Sequence, residues 1–294
     1  MFAHRTVLLD ELVGLVSPAA NKTIVDCTVG GGGHTRALLE AGAHVIGFDR
    51  DPAALAVVRG RLAGFAGRLT LVNEPFSTLL QHLPRPVDGV IADLGVSSPQ
   101  LDEAERGFSF MRDGPLDMRM GAVGETAAEL LERVDVDELT RILREYGEER
   151  HAWRVAKAIL AALPLSTTLE LAAVIDAAVP GRRGRIHPAT RSFQALRIAT
   201  NDELGELKNL LDALPEALVP GGRAGIISFH SLEDRMVKQR FRTWAGFFIE
   251  KDGYGHPRHA PMADLLTRKA VTSSDDNPRA RSARLRGIQF RSPA

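Results

Sequence analysis

The sequence predicts an α/β protein in which a mostly parallel sheet is interrupted by a helical insertion. Short apolar runs alternate with segments of helical periodicity over the first hundred residues. Almost a hundred residues without a strand signal follow, and the alternation then resumes. Strands that are separated by helices pair in parallel, with helices on both faces. We therefore expect one α/β domain from residues 1–103 and 201–294 and a helical domain from residues 104–200.

Each predicted strand of the first half is a short apolar run bounded by turn residues. The helix after the first strand ends at Gly42, and the next helix has Pro52 at its first position. Ligands of such sheets lie beyond the carboxyl ends of the strands, so we expect the site there. The predicted strands are KTIVDC (22–27), AHVIGFD (43–49), RLTLVNEPF (68–76) and VDGVIADLGVSS (87–98).

The inserted segment has apolar residues at helical spacing. Its last predicted helix, within STTLELAAVIDAAVPG (166–181), opens with hydroxyl residues that cap helices and stops at Pro180 and Gly181. We expect these residues on the apolar faces of the two helices before it: Leu139, Ile142, Leu143, Tyr146, Trp153, Ala156, Ile159, Leu160 and Leu163.

Three segments after residue 200 restore the strand pattern. RAGIISF (223–229) is predicted as a buried strand, and LVPGGR (218–223) as the turn before it. FFIEKDGYG (247–255) and RLRGIQF (284–290) are predicted to form an antiparallel pair that closes the edge of the sheet.

Composition excludes several classes of protein. No run of eighteen apolar residues is present, so no membrane-spanning helix is expected. Asp10 and Glu11 interrupt the N-terminal segment where a secretory signal would be apolar. A single cysteine, Cys27, excludes an internal disulfide and fits a reducing compartment, so we expect a cytoplasmic protein. The nine histidines show no metal-ligand spacing, and no metal site is expected.

Four consecutive glycines follow the first strand, in VDCTVGGGGHT (25–35). Glycine loops between a strand and a helix let a nucleotide approach bare backbone amides. The dinucleotide fingerprint G-x-G-x-x-G would need a third glycine where this chain has Thr35. The looser D-x-G-x-G-x-G loop of class I S-adenosylmethionine-dependent methyltransferases fits better: Asp26, Gly30 and Gly32 match it, and Thr28 replaces its first glycine.

Asp49 closes the second predicted strand, where a carboxylate can accept hydrogen bonds from ribose hydroxyls. NAD and S-adenosylmethionine both carry such a ribose, and a helix cap is the simpler role for a carboxylate beside Pro52. We expect Asp49 to bind ribose and Asp51 to cap the helix. The LVPGGR turn is common before the fifth strand of class I methyltransferases and less typical of dehydrogenases.

Three long motifs occur in order: DLGVSSPQLDEAERGFSFMRDGPLDMRM from Asp93, HPATRSFQALRIATNDEL from His187, and SFHSLEDRMVK from Ser228. With them the chain closely resembles the bacterial ribosomal RNA small subunit methyltransferase H family, from HRTVLLDE near the N-terminus to NPRARSARLR near the C-terminus. Those enzymes methylate N4 of a cytidine in the decoding region of 16S ribosomal RNA. The resemblance implies a class I, Rossmann-like methyltransferase fold with a helical insertion that recognises the substrate, S-adenosylmethionine as cofactor, and 16S ribosomal RNA within the small subunit as partner.

The resemblance also implies the cofactor-binding residues. Gly32, Gly33 and His34 would line the methionine and ribose part, and Asp49 would hold the ribose hydroxyls. The remaining three are Phe76 against the adenine, Asp93 beneath the sulfonium and Gln100, which completes the pocket.

The reaction needs a group that accepts a hydrogen bond from the amine, because N4 of cytosine delocalises its lone pair into the ring. Many amino methyltransferases supply it from a D/N/S-P-P-Y/F/W tetrapeptide after the fourth strand. This chain has DLGVSSP there, without adjacent prolines or an aromatic residue. We take Asp93 as the hypothetical catalytic acceptor, with Ser97 or Ser98 as helpers, and Asp117 and Arg119 as further candidates.

Two arginine-rich stretches lack acidic residues, although the net charge of the chain is zero. One lies between Asp176 and Asp202 and the other follows Asp276. Solvated surface is the ordinary interpretation of such a run; two separate runs make a polyanionic partner plausible. The residues that we predict to bind RNA phosphates are Arg182, Arg183, Arg185, Arg191, Arg281 and Arg284.

Three other functions fit part of the pattern: an NAD-dependent reductase, a non-catalytic RNA-binding assembly factor, and a methyltransferase of DNA or a small molecule. The reductase leaves the helical insertion and the DLGVSSPQ motif unexplained. The oligomeric state, and the choice between naked RNA and the assembled subunit as substrate, are open at this stage.

Overall fold

A computed structural model describes residues 6–180, 187–248, 260–273 and 280–292. The chain divides into two compact units: Met1–Gly95 with Leu204–Ala294, and Val96–Glu203. We call the first the sheet unit and the second the helical unit. What each unit contributes to function stays a prediction.

The sheet unit is built on one sheet in which the first five strands are parallel, as the sequence predicts. The strand order is β3-β2-β1-β4-β5-β8-β6, and β7 also pairs with β8. β8 runs antiparallel to β5, β6 and β7. The strands are β1 Thr23–Asp26, β2 His44–Phe48, β3 Leu69–Val72, β4 Val87–Asp93, β5 Leu218–Ser228, β6 Ala263–Leu265, β7 Val271–Thr272 and β8 Arg284–Phe290.

The described helices agree with the predicted alternation and add one at the N-terminus that the sequence reading did not identify. Short 3-10 turns lie at Ala63–Arg68, Phe76–Thr78 and Ala104–Arg106. The α-helices are α1 Leu9–Val16, α2 Gly33–Glu40, α3 Pro52–Arg61, α4 Leu79–His82, α5 Ser98–Asp102, α6 Ala127–Arg133, α7 Val136–Glu145, α8 Ala152–Ala161, α9 Thr168–Ala178, α10 Ala189–Asn201, α11 Glu203–Ala217 and α12 Ser231–Trp244.

Both faces of the sheet are buried, because side chains alternate along each strand. Val25, Val90 and Ile226 lie in the core cluster that contains the buried residues of α11 and α12. Their neighbours Ile24 and Ile91 lie in the second cluster, with the buried residues of α1, α2 and α3. Two-sided burial explains why these strands read as continuous apolar runs rather than alternating ones.

The helical unit has its own apolar core, formed by residues such as Leu131, Leu139 and Ile159. Side chains cap three of its helices: Thr126 caps α6, Asp135 caps α7, and Thr167 caps α9. None of the helices in the described part of the chain is both long and apolar enough to cross a membrane.

Two of the predicted segments after residue 200 are misplaced in the sequence interpretation. The LVPGGR residues lie inside β5, as a bulge between the pairs Val87–Leu218 and Gly89–Arg223, instead of before the strand. RLRGIQF forms β8, which lies between β5 and β6 and is not the edge.

Of the FFIEKDGYG segment, Phe247 and Phe248 lie in a turn after α12, and the rest lies outside the described residues. The strands that pair with β8 on its outer side are β6 and β7.

Trp153 is also misplaced in the sequence interpretation, because its side chain is 55% exposed. The inward face of α8 starts one residue earlier, at Ala152, and continues through Val155, Ala156 and Ile159. One residue of offset rotates a helical position by 100°, enough to move a side chain from core to surface.

Candidate active site

Three aspartates lie at the carboxyl ends of neighbouring parallel strands of the sheet unit. Asp26 is the last residue of β1, Asp93 is the last residue of β4, and Asp49 directly follows β2. Because β2, β1 and β4 are adjacent and parallel, these carboxyl groups meet at one edge of the sheet.

The glycine loop between β1 and α2 exposes backbone at this edge. Gly30 and Gly32 have φ values of +49° and +82°, a left-handed conformation that favours glycine. Gly32 is also the N-cap of α2, and it provides no side-chain cap for the first amides of the helix. A Cβ atom on Gly33 would overlap the hydroxyl of Thr6. The loop is thus a place where a ligand can contact bare amides.

Asp49 is held in place by two backbone amides. Its Oδ2 accepts from the amide of Gly30 at 2.8 Å, and its Oδ1 accepts from the amide of Asp51 at 2.9 Å. Burial raises the pKa of Asp49, and these two hydrogen bonds oppose the rise. Asp51 caps α3, accepting from the amide of Ala53 at 2.9 Å, which confirms its expected role.

Asp26 accepts hydrogen bonds from both threonines that stand where the glycine patterns have glycine. Its Oδ2 accepts from the Thr35 hydroxyl at 2.6 Å, and its Oδ1 accepts from the amide of Thr28 at 3.1 Å. The Thr28 hydroxyl in turn accepts from the amide of Asp93 at 2.7 Å. Burial raises the pKa of Asp26 to about 6, with the Thr35 hydrogen bond acting in the opposite direction. Thr28 therefore joins the ends of β1 and β4, and Thr35 joins α2 to the end of β1.

Of the three aspartates at this edge, Asp93 has the most strongly raised pKa. Burial, together with the charges of Asp26 and Glu233, raises the pKa of Asp93 to about 8. Its side chain keeps 24% of its surface exposed, yet Oδ1 is buried without a hydrogen-bond partner among the described residues. A buried oxygen without a partner at an accessible side chain is suited to a ligand donor.

His34, in the first turn of α2, faces Asp93. Its Nε2 lies 3.2 Å from the carbonyl oxygen of Val7, and its Nδ1 lies 3.8 Å from Oδ2 of Asp93. Burial lowers the pKa of His34 to about 4, while the contact with the Val7 carbonyl opposes this shift. The imidazole is therefore neutral at pH 7. A carbonyl accepts only, so Nε2 carries the proton and Nδ1 is left as an acceptor.

Phe76 lies in the 3-10 turn after β3, half-buried against the core below α11 and α12. Its core packing is established; a contact with adenine stays a prediction.

The segment after β5 adds an acid that the sequence reading did not assign to the site. Glu233 accepts from the amides of Phe229 at 2.8 Å and His230 at 3.3 Å, and its charge contributes to the raised pKa of Asp93. His230 is the N-cap of α12, with Nδ1 accepting from the Glu233 amide at 3.4 Å. The sequence signal for this arrangement is an acceptor side chain followed three residues later by Glu, directly after a strand.

The remaining site candidates belong to the helical unit and have local partners there. Gln100 accepts from the amide of Ser97 at 2.8 Å and donates to the carbonyl of Met120 at 3.2 Å. Arg119 donates to both carboxylate oxygens of Asp117, at 2.8 and 2.7 Å. Although burial would raise it, the pKa of Asp117 is lowered by Arg119, which makes Asp117 a weak proton acceptor.

The candidate RNA-binding arginines fall into three groups. Arg182, Arg183 and Arg185 lie outside the described residues. Arg191 is exposed on α10, with Nη1 3.4 Å from the carbonyl oxygen of Glu148, and Arg281 is exposed before β8. Arg284 is 57% exposed and lies 3.5 Å from Asp234.

The acid-free tail finds its counter-ions elsewhere in the sequence. Arg286 donates to both oxygens of Asp234, at 2.7 and 3.1 Å, and both side chains are nearly buried. Arg291 pairs with Asp264 at 2.6 Å. Of the five arginines that follow Asp276, at least three have acidic partners, since Arg284 also lies within ion-pair distance of Asp234.

Comparison with known proteins identifies relatives over almost the whole chain. The model of the MraW methylase family matches residues 1–291. Ribosomal RNA small subunit methyltransferase H of Anaeromyxobacter sp. (strain K) is 52% identical, covering 98% of each chain. The protein of the same name from Myxococcus xanthus (strain DK1622) is 51% identical over 98% of this chain and 97% of its own length. Among solved structures, a putative rRNA methylase from Clostridium thermocellum shares 13% identity and a TM-score of 0.47, covering 98% of this chain and 100% of that one.

Proposed function

The chain belongs to the MraW methylase family, and on that premise we propose that the carboxyl edge of its sheet transfers a methyl group to 16S ribosomal RNA. The resemblance found in the sequence is confirmed. The enzyme is an S-adenosylmethionine-dependent methyltransferase that acts on N4 of a cytidine in the decoding region. The observation that carries the assignment is the buried Oδ1 of Asp93, which has no hydrogen-bond partner in the described part of the chain and lies at the same sheet edge as the glycine loop and Asp49.

The sheet edge fits S-adenosylmethionine in three respects. The left-handed glycines leave the start of α2 open to a ligand. The two amides that hold Asp49 leave lone pairs on its oxygens for ribose hydroxyls. Burial and the negative charges of Asp26 and Glu233 raise the pKa of Asp93, and a positive sulfonium placed beside it would oppose that shift. We assign the cofactor to Gly32, Gly33, His34, Asp49, Phe76 and Asp93, with Gln100 from the helical unit.

S-adenosylmethionine supplies a methyl carbon that is electrophilic because it is bonded to positive sulfur. The protein's task is to make a poor amine attack it. As the new N–C bond forms, N4 must give up one proton, and an acceptor on its N–H localises the lone pair. We assign this role to Asp93 in its ionised form. The lowered pKa of His34 makes its imidazole a weak base, and Arg119 lowers the pKa of Asp117, so both are weaker proton acceptors than ionised Asp93.

The enzyme binds RNA in this reaction, and we propose that arginines of the helical unit and the C-terminal segment bind the RNA phosphates. Arg182, Arg183, Arg185, Arg191, Arg281 and Arg284 are the candidates. Each phosphate contact contributes about 0.7–0.9 to the slope of log affinity against log salt. If replacing Arg182, Arg183 and Arg185 by glutamine leaves this slope unchanged, their proposed role is wrong.

The decisive experiment is nucleoside mass spectrometry after the protein and S-adenosylmethionine are incubated with small ribosomal subunits that lack the modification. We expect N4-methylcytidine, and a parallel reaction with naked 16S RNA identifies the preferred substrate form. If neither substrate is methylated while calorimetry shows that S-adenosylhomocysteine binds, the proposed substrate is wrong and the cofactor assignment stands.

A further inference from the structure

The outward face of α8 in the helical unit carries a large aromatic side chain in solvent. Ala152, Val155, Ala156 and Ile159 pack into the core and are at most 2% exposed. Trp153, on the other side of the helix, is 55% exposed. Tryptophan is highly buried on average, and an exposed indole beside cations offers a ring on which a nucleobase can stack.

Three cations lie close in sequence to this indole. Arg150, Arg154 and Lys157 are all exposed; Arg154 and Lys157 are neighbours at helical spacing on α8, and Arg150 lies in the turn just before the helix. The Lys157 Nζ lies 4.7 Å from the centroid of the Trp153 ring. Within the ranges that the structure describes, none of these three cations has an ion pair or a side-chain hydrogen bond to an acid. We call these four residues the α8 face.

Two of the exposed arginines on the neighbouring helices are paired. Arg133 of α6 pairs with Glu125 at 2.8 Å, and Arg141 of α7 pairs with Glu145 at 3.1 Å. Around α8 no acidic residue occurs from 150 to 169. The nearest preceding acid, Glu149, is buried, and its carboxylate accepts from the amide of His151 at 2.8 Å. The α8 face therefore presents positive charge that the helix itself does not neutralise.

We propose that the α8 face binds single-stranded segments of the RNA substrate, with a base stacked on Trp153 and phosphates at Arg150, Arg154 and Lys157. An aromatic ring bordered by cations is the combination that binds single strands without sequence preference, because every base has a π-face and every nucleotide a phosphate. The inference rests on the proposed function in that it takes RNA as the partner. It adds four residues that are not among the arginines already proposed.

The first test is RNA binding against salt concentration, with a fluorescein-labelled single strand of the decoding-region sequence. For R150Q/R154Q/K157Q we expect the slope of log affinity against log salt to fall by about 2, from three lost phosphate contacts. The matched control R133Q/R141Q/K208Q removes three cations that are paired with Glu125, Glu145 and Asp212. Equal slopes for the two variants would overturn the proposal.

The second test uses the indole itself, since the chain has two tryptophans and the other, Trp244, is buried. The emission of Trp153 is obtained by subtracting the fluorescence of Trp153→Leu from that of wild type, and we expect RNA to quench it. We also expect Trp153→Leu to bind RNA about tenfold more weakly than wild type. Polyglutamate serves as a polyanion without bases. If polyglutamate binds as tightly as RNA and RNA causes no quenching, the face fits an acidic protein and the RNA proposal is wrong.

These readouts separate the inference from the proposed reaction. If the salt slope of RNA binding and the quenching of Trp153 depend on the α8 face but no N4-methylcytidine forms, the RNA-binding surface stands and the proposed reaction is wrong. If wild type methylates the RNA but changes in the α8 face do not affect RNA binding, the reaction stands and the surface is wrong.

Discussion

Nδ1 of His34 lies 3.8 Å from Oδ2 of Asp93, and the two groups have opposite pKa shifts. The pKa of the histidine is lowered to about 4 and that of the aspartate is raised to about 8, in each case mainly because burial disfavours the charged form. At pH 7 the empty site thus holds a neutral imidazole and a mostly protonated carboxyl group. Neither side chain neutralises the other, and Asp93 remains available to a ligand.

Replacing Asp93 by asparagine removes the proposed acceptor and keeps the shape of the side chain. We expect kcat to fall by about 10²- to 10⁴-fold, the usual contribution of general base catalysis. Binding of S-adenosylhomocysteine, which has a neutral sulfur, should be retained in calorimetry. If the Asp93→Asn enzyme binds cofactor and turns over normally, Asp93 is not the catalytic acceptor.

The rate should depend on pH through Asp93, because only the ionised carboxylate accepts a proton. With its pKa at about 8, kcat/KM for S-adenosylmethionine should rise about tenfold per pH unit below pH 8 and level off above it. Below pH 6 protonation of Asp26 adds a second effect. A profile that is flat across this range in steady-state assays would contradict the assignment.

Asp93 should also make the ligand-free enzyme less stable at higher pH. The pKa of Asp93 is 3.8 in the unfolded chain and about 8 in the folded protein, so its contribution to the free energy of unfolding is fully present below pH 4 and is lost as the pH rises to about 8. Asparagine cannot ionise. Allowing for the partial exposure of the side chain, we expect Asp93→Asn to be more stable than wild type by about 2 kcal/mol at pH 8 and equal at pH 4.

Calorimetric melting curves at the two pH values measure this difference. The exposed carboxyl of Glu132 on α6 offers a control, and Glu132→Gln should show no such pH-dependent gain. An equal Tm for wild type and Asp93→Asn at pH 8 would show that Asp93 is not desolvated in solution.

Gly33→Ala should disturb the cofactor loop, because the new Cβ overlaps the Thr6 hydroxyl. We expect affinity for S-adenosylhomocysteine to fall about tenfold, equivalent to about 1.4 kcal/mol, and to recover in part in Gly33→Ala/Thr6→Ala. The matched control is Gly60→Ala in α3, where the added methyl group meets open space. Unchanged affinity in Gly33→Ala would mean that the N-terminal segment does not pack on the loop.

Arg286→Gln should destabilise the protein without changing RNA binding. The arginine forms a bidentate pair with Asp234, and both side chains are nearly buried. Its removal leaves Arg284, mostly exposed and 3.5 Å from Asp234, as the cation at this carboxylate, so we expect a loss of about 1–3 kcal/mol, less than for a wholly uncompensated buried charge. Denaturant unfolding measures the loss, and the salt dependence of RNA binding should stay that of wild type. A changed salt slope with intact stability would instead place Arg286 on the RNA.

Arginines in a segment without acidic residues can still pair with acids that are distant in sequence. The C-terminal run has no acidic residue in sequence, yet Asp234 lies 52 residues before Arg286 and pairs with it. Absence of a local acid therefore does not identify a free cation. The α8 face is the converse case, since its cations lie close in sequence to the acidic segment before Glu149 and are nevertheless unpaired within the described structure.

Helix periodicity located α8 but assigned Trp153 to its apolar side. The segment is rich in apolar residues on both sides of that position, and the alanine at 152 gives little signal compared with a tryptophan. Burial depends on which neighbours the helix packs against, and that is set by distant segments.

The sequence by itself determined the parallel sheet, the helical insertion, the glycine loop, the family and the placement of Asp26, Asp49 and Asp93 at strand ends, because these follow from periodicity and from the order of residues along the chain. Only the tertiary structure decided what each carboxyl group does. Thr28 and Thr35 bind Asp26, two amides bind Asp49, and Asp93 keeps an oxygen without a partner among the described residues. Protonation and hydrogen bonding depend on burial and on groups contributed by remote segments, such as Glu233, and folding alone brings those groups together.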